Sequence, residues 1–162
     1  LFGDAVPSGK LSVTYPRFPN ALMCYDHKPA DAAEGNVYNP QWPFGYGLSY
    51  TTFAYADLTL DRTVIRSGES LGVSLTVRNA GPIAGAEPVL LYVNDNYGSV
   101  SRPARQLKAF TKVFLKPGEL QTVRFTLLPG SLSFIGINNT RIIESGGFTV
   151  TVGSMSRSFV LE

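Results

Sequence analysis

The sequence predicts a mainly β protein: a sandwich of about seven strands, preceded by a fragment of an α/β layer and a long irregular connector. Three observations carry this. Beyond residue 51, short runs rich in Val, Leu, Thr and Phe recur at regular intervals between turns of Gly, Pro, Asn and Ser. Inside those runs apolar and polar residues alternate, most cleanly in Leu71-Gly72-Val73-Ser74-Leu75-Thr76-Val77-Arg78, so one face is buried and the Ser/Thr/Arg face is wet. Residues 17–41 keep neither a period of two nor one of 3.6 for long, and they lead into the β half through residues 42–53, the densest stretch of aromatics in the chain.

In chain order, Leu1-Phe2-Gly3-Asp4 has the form of a helix's last turn, with Gly3 where a left-handed cap would sit. Pro7-Ser8-Gly9-Lys10 is a turn, and residues 11–15 alternate as a short strand that Pro16 should stop. Helix end, turn and orphan strand suit the closing edge of an α/β layer, assigned to residues 1–16. Residues 17–51 form the connector: Pro19, Pro29, Gly35 and Pro40 break any regular element, and loops of that length carry function or are disordered. At its end, Gly45 and Gly47 permit tight backbone while Pro43 fixes its own φ. Trp42, Phe44, Tyr46, Tyr50 and Phe53 add side chains worth about 1.5–3 kcal/mol each when buried. Such a segment should be clamped between two bodies.

Residues 52–162 are the sandwich. Its strands are expected at 55–60, 71–78, 87–93, 107–115, 122–127, 132–135, 147–152 and 158–161, with Pro88 at the very start of the third. Arg66-Ser67-Gly68-Glu69 and Lys116-Pro117-Gly118-Glu119 are turns, the second with the Pro-Gly order of type II. Residues 153–157 should close a final hairpin. The strand count fits an immunoglobulin-like or fibronectin type III-like domain.

Composition narrows the function. At 162 residues, with 44% hydrophobic and 16% charged residues, the chain is ordinary globular material. Starting on Leu1 rather than Met, it reads as a fragment. No apolar run approaches the ~18 residues of a membrane span. A net charge of +2, dispersed along the chain, does not argue for nucleic acid or an anionic membrane. The single cysteine, Cys24, allows no internal disulfide and no cysteine-built metal site. No motif calls for a cofactor. Gly45-Tyr46-Gly47 lacks the third glycine of a dinucleotide loop, and Gly47-Leu48-Ser49-Tyr50-Thr51 fails the nucleophile-elbow pattern at its last position. Asn94-Asp95-Asn96 lacks the spacing of a calcium loop and reads as a turn.

The residues also carry a family pattern. Pro7-Ser8-Gly9-Lys10-Leu11, Pro43-Phe44-Gly45-Tyr46-Gly47-Leu48-Ser49-Tyr50, Val77-Arg78-Asn79-Ala80-Gly81, Ser101-Arg102-Pro103, Leu107-Lys108-Ala109-Phe110 and Leu115-Lys116-Pro117-Gly118-Glu119 appear in order across the chain. The set resembles the C-terminal part of family 3 glycoside hydrolases, of the β-glucosidase and β-xylosidase kind. Leu90, Ala109 and Ser145 depart from the pattern. The resemblance implies an accessory fibronectin type III-like domain behind a TIM-barrel domain and an α/β-sandwich domain. It implies retaining hydrolysis of terminal β-D-glucosyl or related residues, with both catalytic carboxylates outside this chain and a secreted or periplasmic setting.

The carboxylates present do not replace that pair. Asp57 and Asp61 should lie on one strand face about 13 Å apart at ~3.3 Å per residue, beyond the ~5–9.5 Å a glycosidase pair needs. Tyr25, His27 and Lys28 resemble a cleft-rim stretch of the family and become candidate substrate contacts, against the plainer reading of a solvent-facing loop. Trp42, Phe44, Gly45, Tyr46, Gly47, Tyr50 and Phe53 are the interdomain connector, with the upstream domains as partners, a β-glucoside or oligosaccharide as substrate, and oligomer contacts as a further role. Arg102, Arg105, Lys108, Lys112 and Lys116 read as a solvated face, and Asn138-Asn139-Thr140 is a glycosylation sequon. The competing reading is an independent β-sandwich module that binds carbohydrate or protein.

Overall fold

The computed structural model describes residues 3–21, 23–29 and 38–162. Its strands are β1 (Tyr15–Pro16), β2 (Pro40–Trp42), β3 (Phe53–Leu60), β4 (Val64–Ile65), β5 (Leu71–Asn79), β6 (Gly85–Asp95), β7 (Gln106–Leu115), β8 (Leu120–Leu127), β9 (Phe134–Ile135), β10 (Arg141–Ile142), β11 (Gly146–Val152) and β12 (Met155–Leu161). Two facing sheets make the sandwich, one in the order β4-β12-β11-β6-β7 and the other β3-β5-β8. Seven long strands build it, as the alternation predicts.

Period two explains the core. Leu71, Val73, Leu75 and Val77 of β5 all point inward and are buried, as are Val89, Leu91 and Val93 of β6 and Val123, Phe125 and Leu127 of β8. Phe148 and Phe159, neighbours on β11 and β12, stack with ring centroids 5.3 Å apart. Turn chemistry sets the register. In Arg66–Glu69 and Lys116–Glu119 alike, Gly at the third position takes a positive φ (+89° at Gly68, +76° at Gly118). In both, the closing glutamate accepts from the first residue's N–H, at 2.9 and 2.7 Å.

Several expectations change. Residues 11–15 do not form a continuous strand; only Tyr15–Pro16 pairs, with Pro40–Trp42, and Pro16 belongs to the strand it was expected to stop. Pro88 is the fourth residue of β6, not its first. β11 pairs with β6 only from Leu91 to Asp95, so on that side of Pro88 a missing N–H costs no ladder bond. Residues 132–135 split into a 3-10 turn, Pro129–Leu132, and β9, which pairs with β10 as a small hairpin outside both sheets. The last hairpin turns on Gly153 and Ser154 alone, with Val152 opposite Met155. β6 runs through Asp95, making Asn94-Asp95 a strand end. Asp57 has φ +55° at a bulge between Ala56 and Thr59, beyond which Leu58 is completely buried while Asp57 and Asp61 are both exposed. Leu1 and Phe2 of the expected helix end lie outside the described residues, as do residues 22 and 30–37 of the connector; Gly3 has φ +89°.

At one end of the sandwich, Asn79 is completely buried and its side chain is fully bonded. Its Nδ2 donates to Ile83 O (2.7 Å) and Leu115 O (3.0 Å), while its Oδ1 accepts from Thr51 Oγ1 (2.7 Å) and Gly81 N (3.0 Å). Its backbone N–H donates to Glu119 O and its carbonyl accepts from Gly118 N, both at 2.9 Å. Replacing Asn79 with Ala strands two donors and two acceptors around a completely buried side chain. A loss of about 3 kcal/mol or more is expected from the urea midpoint. A loss below ~1 kcal/mol would show that the network contributes little.

Candidate functional site

The connector folds back on the leading segment through short-range backbone constraints. Pro43 to Tyr46 makes a turn, Tyr46 N donating to Pro43 O at 3.1 Å, with Gly45 at φ +81° in the third position. A Cβ at Gly45 would stand 2.8 Å from the Tyr92 hydroxyl, and one at Gly47 would collide with the carbonyl of Gly9. Both glycines are therefore required by close approach. Gly45 N then donates to Leu11 O and Leu11 N to Tyr46 O, each at 2.8 Å, tying residues 43–47 to residues 9–11.

Ring packing continues the seam. Tyr25 stacks on Phe44 at 4.4 Å, Phe44 meets the edge of Tyr92 at 6.4 Å, Tyr15 packs on Trp42 at 5.2 Å and Trp42 lies 6.5 Å from Tyr46. Phe53 packs against the sandwich core. The Arg105 guanidinium sits 4.7 Å over the Tyr92 ring. Beneath the turn is a cleft of about 270 Å3, lined by Lys10, Phe44, Tyr55, Glu87, Tyr92 and Arg105 among others. Lys10 Nζ reaches within 3.1 Å of Glu87 Oε1, and the Tyr55 hydroxyl donates to the same oxygen at 2.8 Å. Burial, then the Glu87 charge and hydrogen bond, push the Tyr55 hydroxyl well above its ordinary pKa. Burial also raises Tyr92.

The candidate rim residues are placed as follows. Tyr25 is spent on Phe44. His27 stacks on Tyr38 at 3.6 Å, its carbonyl accepts from Ala104 N at 2.8 Å, and its buried Nδ1 has no hydrogen-bond partner in the described residues. Lys28 is exposed. The rim thus leans on the loop after β6 as well as on the connector. Of the cations expected on one solvated face, only Lys112 and Lys116 are exposed. Arg102 is almost buried, paired with Asp95 at 3.0 Å and lying 3.9 Å over the Phe134 ring. Lys108 is half-buried, its pKa lowered by burial and by Arg102 and Arg141. Sequence reasoning missed the Lys10–Glu87–Tyr55 cluster, because residues so far apart share no spacing signal. It also passed over Asn79, although a polar residue ending a strict alternation was visible. Among the described residues no group of three or more His, Cys, Asp and Glu side chains could hold a metal ion.

Comparison with known proteins agrees with this geometry. Residues 87–156 match the fibronectin type III-like domain family. The chain is 38% identical over 160 residues to a putative β-xylosidase of Formosa agariphila, covering 96% of this chain and 21% of that protein. It is 39% identical to the thermostable β-glucosidase B of Acetivibrio thermocellus, covering 100% of this chain and 24% of that protein. The structure superposes on a β-glucosidase from Erythrobacter marinus with a TM-score of 0.90 at 35% identity, covering 99% of this chain and 22% of the other. The chain therefore spans between a fifth and a quarter of the length of these relatives.

The seam yields a pH prediction. A tyrosine whose folded pKa is raised holds its proton where the unfolded chain has lost it. Its contribution to stability is intact below the unfolded value of 10.0 and is lost as pH rises past it. Urea midpoints should therefore fall more steeply between about pH 9.5 and 11 in the native chain than in Tyr55→Phe; parallel slopes would remove Tyr55 from the account.

Proposed function

Since this chain belongs with the C-terminal part of family 3 glycoside hydrolases and carries their fibronectin type III-like domain, we propose that it braces the catalytic body of such an enzyme and frames one rim of its cleft. The intact protein hydrolyses terminal β-D-glucosyl or related residues by a retaining route, with both carboxylates supplied upstream. Residues 1–16 are the closing edge of the preceding α/β domain, 17–51 the connector and 52–162 the brace. The isolated chain hydrolyses nothing.

One observation carries this reading. Besides its attachment to the sandwich, the described part of the leading segment keeps Val13 (58% exposed), Tyr15, Phe18 (59%), Trp42, Leu48 (72%) and Tyr50 open to solvent. A free-standing binding module has no use for such apolar area, whereas a neighbouring domain would bury it at about 25 cal/mol per Å2. Tyr25, His27 and Lys28 stand at the end of the same seam, which suits a contact with the sugar beyond the scissile bond.

Two measurements test this. Mixed with the separately expressed upstream part of the hydrolase, the chain should co-elute with it and restore cleavage of an aryl β-glucoside, and Trp42→Ala with Leu48→Ser should weaken that association at least tenfold, or ~1.4 kcal/mol. Activity of the chain alone, or tight adsorption of a monomer to insoluble glucan without any such association, would support the independent-module reading. In the intact enzyme, His27→Ala should lower kcat/KM several-fold on oligosaccharides; unchanged values would remove His27 from the cleft.

A further inference from the structure

The outer face of β7 carries a pattern that the connector does not explain. Phe110, Lys112 and Phe114 point outward from regular antiparallel register, opposite Leu90, Pro88 and Ala86 of β6. Successive members are about 7 Å apart at ~3.4 Å rise per residue. Lys116 follows in the turn. Phe110 is 72% and Phe114 64% exposed, and both lysines are exposed as well. β7 contains no Asp or Glu, and the nearby Glu119 carboxylate accepts from the backbone of Lys116. The carboxylate of Glu87, on the adjoining strand, is taken by Lys10 and Tyr55.

β7 is also an edge. Among the described residues only β6 pairs with this ten-residue strand in its sheet. An exposed lysine guards such an edge against indiscriminate pairing, but the two phenylalanines that flank Lys112 do the opposite. Cation and aromatic in alternation fit a surface that alternates carboxylates with apolar groups.

We propose that the outer face of β7 is a second dock for the upstream body of the same hydrolase, and that the surface it receives is acidic and studded with apolar side chains. This rests on the bracing role proposed above. Continuity argues for that occupant: Leu90 and Pro88, which face Phe110 and Lys112, also line the cleft under the connector, so the stripe extends the seam. Coverage argues the same way, because this chain amounts to 22% of the solved β-glucosidase it superposes on, which leaves most of that fold to be carried by neighbours.

Residue-resolved footprinting tests it, comparing the isolated chain with the intact hydrolase. Acetylation of Lys112 and hydroxyl-radical oxidation of Phe110 and Phe114 should be about fivefold or more slower in the intact enzyme, as for groups that must open before reacting. Lys112→Glu with Lys116→Glu should lower the Tm of the intact hydrolase, more at low salt than at high, and leave the isolated chain's Tm unchanged. Equal labelling of β7 in both forms would overturn the proposal. Trp42 oxidation, read in the same spectra, reports on the connector separately: protection there without protection of β7 would leave the bracing role standing and this dock refuted. Protection of β7 in the isolated chain that grows with its concentration would assign the face to a second copy and likewise refute it.

Discussion

A single buried amide holds together parts of this chain that are remote in sequence. Asn79 ends β5, and its four side-chain bonds reach Thr51 of the connector, Gly81 and Ile83 of the turn that follows, and Leu115 at the end of β7. Its backbone adds the β7–β8 turn through Gly118 and Glu119. An amide suits this point because it offers two donors and two acceptors in one plane. A carboxylate would lack donors, and an aliphatic side chain would leave all four partners without the bond that Asn79 makes. The end of the sandwich, the entry of the connector and the turn closed by Glu119 are thereby set in one geometry. Small residues guard the same place: a Cβ at Gly81 would meet Thr51, and one at Gly85 would crowd Thr51 and Val6.

From that fixed point the connector runs as a one-sided clamp. Its inner flank meets the sandwich through Phe44, whose ring meets Tyr92 edge-on, and through the positive-φ Gly45 packed under Tyr92 and Leu90, while Lys10 of the preceding segment adds an ion pair with a nearly buried carboxylate. Away from that flank, Trp42, Leu48 and Tyr50 are exposed. The arrangement presents the aromatics as a preformed plate rather than a flexible tether, which lowers the ordering cost of docking a second body.

Most of the sandwich was legible because its information is local. Alternation in β5 and β8 is a property of consecutive residues, and the Gly68 and Gly118 turns announce themselves in four letters. What escaped depends on tertiary context. Pro88 sits mid-strand because its neighbour β11 stops short of it, a fact no residue near Pro88 encodes. Arg102 leaves the solvent because Asp95 and Phe134 converge on it from separate elements. Residues 11–15 alternate like a strand, yet lie beside a connector whose backbone bonds take up Leu11 first. The seam's location could be read from aromatics and glycines, whereas its polar half, Lys10, Tyr55 and Glu87, draws on three distant stretches.

The two halves of the chain are secured very unequally. The sandwich is knit by continuous ladders such as the eight paired positions between β5 and β8, while among the described residues the leading segment is tied to the connector by two backbone bonds at Leu11 and reaches the sandwich through the Lys10–Glu87 ion pair, the bond from Ala104 N to His27 O and a few rings. Its amides should therefore exchange with solvent through small openings far below the global unfolding free energy, while those of the ladders wait for the whole domain to come apart. A segment able to open while the ladders beneath it stay closed could, in the bracing role proposed above, be seated last.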